Sequence, residues 1–201
     1  MLFRSAAAAN PKARIFSFEP VPKILTRLKN NFSINNFSNA EAVPVAVGDT
    51  NGRISFFIPE SPGMAHAAST KKGWASQTTE VQVDCVRIDT FSSANQLPKI
   101  DLVKMDCEFH ENEVLHGMRE RLGTDRPIIL SEVLFPESEG VKGHFENDLH
   151  IRIEKTMREL GYSLYLIGET ELTRVDGLKY NPVDRNYIFS AKQSGKTVMP
   201  Y

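Results

Sequence analysis

Ile100-Asp101-Leu102-Val103-Lys104-Met105-Asp106-Cys107-Glu108-Phe109-His110-Glu111-Asn112-Glu113-Val114-Leu115-His116-Gly117 joins an apolar run to a helical pattern through a cluster of carboxylates and one histidine. The run up to Met105 predicts a strand, and the residues from Asn112 to Leu122 predict a helix. In an open α/β sheet, ligands sit in the crevice beyond the carboxyl ends of the strands. Acidic side chains at such an end therefore face a small molecule more often than bulk water.

A second junction of the same kind lies upstream. Arg14-Ile15-Phe16-Ser17-Phe18-Glu19-Pro20 reads as a short strand closed by an acid and a proline. A helix is expected from Pro22 to about residue 34, with Ile24, Leu25, Leu28 and Phe32 on one face. Glu19 can accept both hydroxyls of a cofactor ribose, or it can cap the helix that follows. The residues leave both roles open.

Taken together, these segments resemble the FkbM-type family of S-adenosylmethionine-dependent methyltransferases. The family run is matched by Lys104, Asp106, Glu108, Glu111, Val114, Leu115 and Gly117. In the expected order stand Phe18-Glu19-Pro20, Ala46-Val47-Gly48-Asp49 with Gly52, Ile88-Asp89-Thr90-Phe91, Pro127-Ile128-Ile129-Leu130-Ser131-Glu132, Leu160-Gly161-Tyr162 and Asn186-Tyr187-Ile188-Phe189. The resemblance implies a Rossmann-like class I methyltransferase sheet, α/β in class with helices on both faces. It implies one domain over residues 1–201, its core at about 14–190.

Two departures stand out. The family glycine after Glu108 is Phe109, a bulky side chain where the backbone is otherwise free to take unusual angles. The family's glycine-rich loop, which wraps the methionine end of the cofactor, is missing, and so is the strand that carries it. The resemblance therefore implies an N-terminally truncated domain lacking its first strand, either a fragment or a degenerate form. Loss of that strand would leave its two neighbours with unpaired edges.

The rest of the chain alternates strands and helices. Ala6 to Ala9 would end a helix. Ala42 to Val47 reads as a strand, with a hairpin-like turn at 48–52 and its partner from Arg53 to Ile58. Residues 59–79, including Trp74, are expected to form an exposed loop, either folding over a ligand or making a surface excursion. Val81 to Ile88 predicts a strand and Asp89 a cap for a short helix. Pro127 to Val133 predicts a buried strand. An irregular segment from Phe135 to Phe145 carries Glu137, Glu139, Gly140, Gly143 and His144. Asn147 or Asp148 can cap the next helix, which Gly161 ends. Tyr162 to Ile167 and Tyr187 to Ala191 read as late antiparallel strands.

With 41% hydrophobic and 24% charged residues, the 201-residue chain has the balance of a globular domain. A net charge of −1 offers no electrostatic footprint for nucleic acid. No apolar stretch reaches the roughly 20 residues that span a bilayer. Two cysteines, Cys85 and Cys107, make no disulfide scaffold, so a cytoplasmic location fits.

The expected cofactor is S-adenosylmethionine, and the expected partner a small-molecule or carbohydrate acceptor with a hydroxyl to methylate. Glu19 and Pro20 would bind its ribose side. Val47, Gly48 and Asp49 would lie under adenine, and Asp106 would face the methionine portion or the acceptor. His110 is the first choice of general base because its ordinary pKa lies nearest neutrality, with Asp106, Glu108 and Glu132 as rivals. Glu111 suits the first turn of a helix, and Lys104 would neutralise the acids or take a catalytic task. Alternation of Asp106, Glu108 and His110 on an extended segment would also place possible Mg²⁺ ligands on one side, although the family pattern requires no metal. The alternatives are a catalytically inactive binding module and a nicotinamide-dependent Rossmann enzyme.

Overall fold

The structure, a computed structural model, describes residues 2–61, 64–72, 77–135, 148–180 and 184–191. Trp74, Glu137, Glu139, Gly140, Gly143, His144 and Asn147 fall outside these residues.

Helix α1 (Leu2–Ala9) leads to strand β1 (Ile15–Phe18), and helix α2 (Pro22–Ile34) follows the Glu19-Pro20 junction. Proline in the first helical turn gives up no hydrogen bond, because N–H groups there have no intrahelical partner. Strand β2 (Ala40–Val43) returns parallel to β1, so the first unit is βαβ.

The next strand does not run unbroken from Ala42 to Val47. Pro44 has no N–H for a ladder, and the chain leaves β2 at Val43 to enter a different sheet as β3 (Ala46–Val47). The turn at 48–52 is not a hairpin either. Strand β5 (Thr78–Val86) lies between β3 and β4 (Gly52–Pro59), parallel to the first and antiparallel to the second. A two-residue β3 offers β4 little to pair with, whereas β5 matches it from Gly52 against Cys85 to Pro59 against Thr78.

The segment between β4 and β5 is less exposed than its composition suggests. A 3₁₀ turn (Met64–Ala67) is followed by Ala68 and Ser69, and Ala67, Ala68 and Ser69 are all buried. Ser69 explains this: its N–H and carbonyl bond to Phe57 on β4 at 3.1 and 2.7 Å.

Helix α3 (Ile88–Ala94) places Phe91 edge-on against Phe16 and Phe18 of β1. Asp89 does not cap this helix, since Arg87 holds the N-cap position. Its buried carboxylate accepts instead the backbone N–H groups of Glu120 and Arg121.

Strand β6 (Leu102–Met105) is followed by two short helices, α4 (Glu111–Gly117) and α5 (Arg119–Thr124), rather than one. The break is at Met118, whose φ of −123° leaves the helical range while its side chain is fully buried. Strand β7 (Ile128–Glu132), helix α6 (Leu149–Glu159) and strands β8 (Ser163–Ile167), β9 (Leu172–Val175) and β10 (Asn186–Ser190) complete the described chain. Asp148 precedes α6 without a capping bond; its carboxylate lies 3.4 Å from Arg152.

The order in the five-stranded sheet is β6-β7-β10-β8-β9. β6 and β7 are parallel, and β10 runs antiparallel between β7 and β8. Among the described residues, β1 bonds only to β2, and β6 only to β7. The main core joins Leu115, Met118, Ile153 and Met157 of the α4–α6 region to Met105, Ile129, Leu164 and Phe189 of this sheet. The architecture is α/β, with sheets flanked by helices. No helix among the described residues is long and apolar enough to cross a membrane.

Candidate active site

Parallel strands in register end together, and this brings two acids side by side. Met105 of β6 pairs with Ser131 of β7, so Asp106 and Glu132 are the next residues out on neighbouring strands. Asp106 is open to solvent, with 56% of its side chain exposed. Burial raises the Glu132 carboxyl above its ordinary pKa, and the Asp106 charge raises it further. Lys104 counters this: its ammonium lies 3.9 Å from Asp106 and donates to the Met105 carbonyl at 2.8 Å.

Beyond Asp106 the backbone turns sharply. Glu108 and Phe109 both adopt left-handed conformations, with φ of 48° and 70°. For non-glycine residues this costs on the order of 1–2 kcal/mol each. The Phe109 ring is completely buried in the main core, and that burial offsets the strain by ~1.5–3 kcal/mol. The position where the resemblance expects glycine thus keeps a glycine-like backbone.

This turn breaks the extended alternation that would have brought Asp106, Glu108 and His110 to one side. Among the described residues, no group of three His, Cys, Asp or Glu side chains is arranged to hold a metal ion. Glu111 opens α4, and one carboxylate oxygen accepts the Cys107 N–H at 3.1 Å. Its other oxygen is buried with no hydrogen-bond partner among the described residues. Burial, with added repulsion from Glu108 and Asp106, pushes the Glu111 carboxyl up to about 7.

His110 faces a different neighbourhood. Its Nδ1 lies 3.0 Å from the Thr70 hydroxyl and 3.6 Å from Glu113. Lys71 donates to Glu113 at 3.0 Å, and the Ser69 hydroxyl donates to the Glu108 carbonyl at 2.6 Å. Residues 69–71 therefore strap the turn and the start of α4 from outside. Burial lowers the His110 pKa although Glu113 pulls it the other way, so the ring is neutral near pH 7. Its Nε2 is buried with no hydrogen-bond partner among the described residues, close enough to Gly48 that a Cβ there would lie 3.0 Å away.

On the expected cofactor side, Glu19 accepts the Val21 N–H at 2.7 Å, and Val21 is the N-cap residue of α2. That bond occupies one carboxylate oxygen. Burial raises the Glu19 pKa, opposed by that bond. Pro20 continues the junction. Val47 ends β3, Gly48 is buried and bonded to the Val86 carbonyl, and Asp49 is exposed, its carbonyl accepting from Arg87.

Three groups result: Lys104, Asp106 and Glu132; His110 with Glu113, Lys71, Thr70 and the Gly48 turn; and Glu19 with Pro20. Among the described residues, no hydrogen bond or ion pair given above joins Glu19 to either of the others. Sequence reasoning missed Ser69, Thr70 and Lys71, which reach their partners from about forty residues away.

Comparison with known proteins gives a consistent result. The family model described as the methyltransferase FkbM domain matches residues 2–164. The 2-O-methyltransferase NoeI of Sinorhizobium fredii is 30% identical over 130 residues, 59% of this chain and 53% of that protein. The hexuronic acid methyltransferase AglP of Haloferax volcanii is 31% identical over 127 residues, 62% of this chain and 49% of that protein. The chain spans about half the length of the curated relatives it matches. A crystal structure of methyltransferase FkbM from Methylobacillus flagellatus aligns over 88% of this chain and 36% of that chain, at 16% identity and a TM-score of 0.49.

Proposed function

The chain belongs to the FkbM methyltransferase family, and from that membership we propose an S-adenosylmethionine-dependent O-methyltransferase that acts on a hydroxyl of a sugar, polysaccharide, glycolipid or secondary metabolite. The observation that carries the reading is the placement of Asp106 and Glu132 one residue beyond the last register pair of two adjacent parallel strands. Two similar proteins named for methylation of a 2-O position and of a hexuronic acid support the choice of acceptor.

The residues fit the cofactor at one testable point. Glu19 uses one oxygen for the Val21 N–H, which leaves acceptor capacity for a ribose hydroxyl. A hydrogen bond to a charged acceptor contributes ~1.5–3 kcal/mol. Val47, Gly48 and Asp49 offer a turn for the adenine, and Pro20 borders the ribose side. When bound, S-adenosylmethionine supplies an electrophilic methyl group on a positively charged sulfur.

The chain's own task is to hold the acceptor oxygen in line and remove its proton. Positioning of this kind supplies ~7–11 kcal/mol, and a general base adds roughly 10²–10⁴-fold. We assign the base to the Asp106–Glu132 pair in preference to His110. Asp106 is accessible, and the raised affinity of Glu132 for a proton suits it to receive one. His110 is enclosed behind Thr70, with 13% of its side chain exposed, which suits a positioning residue. Glu108 shapes the turn between them.

Calorimetric titration with S-adenosylmethionine, and in parallel with NADH, tests the cofactor. Micromolar binding of the first, weakened about 10–100-fold in Glu19→Ala, is the expected result. Binding of NADH alone would assign a nicotinamide enzyme, and no heat with either would point to an inactive binding module. With an acceptor in hand, Asp106→Asn should abolish turnover while His110→Gln retains part of it; the reverse order would return the base to His110.

A further inference from the structure

The acids stand on the face of the five-stranded sheet that turns away from the main core. Met105, Ile129, Ser131, Tyr187 and Phe189 are all buried on the core side. Side chains alternate along a strand, so Leu130 and Glu132 of β7 point the other way, as do Asn186 and Ile188 of β10. None of these four is fully buried, and Asn186 is exposed.

Asn186 lies directly opposite Glu132 in the antiparallel ladder of β7 and β10. The Val133 N–H donates to the Arg185 carbonyl at 2.8 Å, so the hydrogen-bonded pairs fall on either side of these two. Glu132 and Asn186 form a non-hydrogen-bonded pair, the kind whose side chains come closer together. Opposed Cβ atoms on one face are about 4.5–5.5 Å apart. On its other flank, the Glu132 carboxyl is hydrogen-bonded to Asp106. Asp106, Glu132 and Asn186 therefore stand in a row across three neighbouring strands, and only the last is uncharged.

We propose that Asn186 binds the acceptor, holding the hydroxyl next to the one that the Asp106–Glu132 pair deprotonates, so that the acceptor carries a vicinal diol. The proposal rests on the sugar O-methyltransferase reading and narrows its substrate class. A hydroxyl both gives and takes a hydrogen bond, and a carboxamide offers both a donor and an acceptor to meet it. Neighbouring ring hydroxyls leave adjacent carbons, and two side chains ~4.5–5.5 Å apart at Cβ can reach one each. Being neutral, Asn186 adds no third charge to the two acids, whose cationic neighbours are Lys104 and Arg185. A site built to bond a hydroxyl discriminates against the analogue that lacks it, which makes Asn186 a specificity-determining residue.

Nitrogen-15 NMR titration of the full chain with the methyl pyranosides of glucose, galactose, mannose and fucose tests this. The Asn186 carboxamide signal, identified by its loss in Asn186→Ala, should shift with at least one glycoside at millimolar concentration. The Asn95 carboxamide, already bonded to the Phe91 carbonyl at 2.9 Å, should not move. One deoxy form of the same glycoside should bind the parent about tenfold more weakly. Asn186→Ala, followed on backbone amides near Glu132, should bind the intact glycoside about tenfold more weakly and no longer distinguish that deoxy form. No Asn186 shift with any of the four, or a variant that discriminates as the parent does, overturns the proposal. Asn186 is exposed at the start of β10, so its substitution leaves the fold in place. The calorimetric titration with S-adenosylmethionine reports separately. An Asn186 signal without cofactor binding would sink the methyltransferase reading alone; cofactor binding without an Asn186 signal would sink the diol site alone.

Discussion

Gly117, the last residue of α4, packs directly on the carbonyl of Gly48 at the end of β3: a Cβ on Gly117 would lie 1.8 Å from that oxygen. The obstacle is backbone, so no rotamer change can relieve it. The contact fixes how α4, and with it the acidic turn, sits against the small three-stranded sheet.

Gly117→Ala should therefore destabilise the fold by ~3 kcal/mol or more, the upper end for overpacking. Gly123→Ala is the internal control, because a Cβ there meets nothing within 4 Å. In α5 that change should stabilise by up to ~1 kcal/mol through helix propensity. Urea denaturation of both variants beside the parent checks the contrast.

Phe109 should reverse the usual order of glycine and alanine. Phe109→Ala loses a fully buried ring, a cost of ~3–5 kcal/mol, and keeps the left-handed strain. Phe109→Gly loses the same ring but relieves ~1–2 kcal/mol of strain at φ 70°. The glycine variant should be the more stable of the two in a denaturant series. Equal stability would show that the turn relaxes once the ring is gone.

The pH dependence of stability should carry the mark of Glu111. Its carboxyl rises from the ordinary 4.5 to about 7 in the folded protein, so between those values the folded state binds the extra proton. The stabilisation is fully present below about pH 4.5 and is lost as pH climbs through 7. A shift of that size corresponds to about 3 kcal/mol. Glu111→Gln keeps an acceptor for the Cys107 N–H and removes the titration. Unfolding free energies from urea denaturation should be lower at pH 7.5 than at pH 5 for the parent by most of this amount, and differ less for the variant.

Asp89 is expected to act on a helix it does not belong to. Its carboxylate accepts the Glu120 and Arg121 N–H groups at 3.2 and 3.1 Å, at the start of α5, where the N-cap residue Met118 provides no side-chain cap. Asp89→Ala should cost ~2–4 kcal/mol, since two part-buried donors at the start of α5 lose a charged acceptor. Amide exchange should quicken at Glu120 and Arg121 first. Unchanged protection there would assign the loss to Arg87 instead, which pairs with the same carboxylate at 3.4 Å.

Much of this arrangement was legible in the residues. Glu19 and Asp106 were placed because an apolar run that stops at an acid before a helical pattern marks a strand end in an α/β sheet, and Glu132 was placed by the family resemblance. What was not legible depends on contacts between distant parts of the chain. Nothing local to Ser69, Thr70 and Lys71 signals that they cross to Glu108, His110 and Glu113. Asp89 carried a cap signal, but the N–H groups that donate to it lie about thirty residues on. Pro44 could have warned that Ala42 to Val47 divides. That β5 would then enter between β3 and β4 is decided by pairing length rather than by local pattern.

The position of β10 has a consequence for how the protein is made. Synthesis runs from the N-terminus, so β7 and β8 emerge well before residues 186–190, the strand that bonds to both. Until that strand arrives, each presents an open edge to whatever is nearby, a known route to aggregation. Translation stalled between residues 167 and 186 should leave a nascent chain that binds holdase chaperones, and release of residue 190 from the ribosome should end that binding.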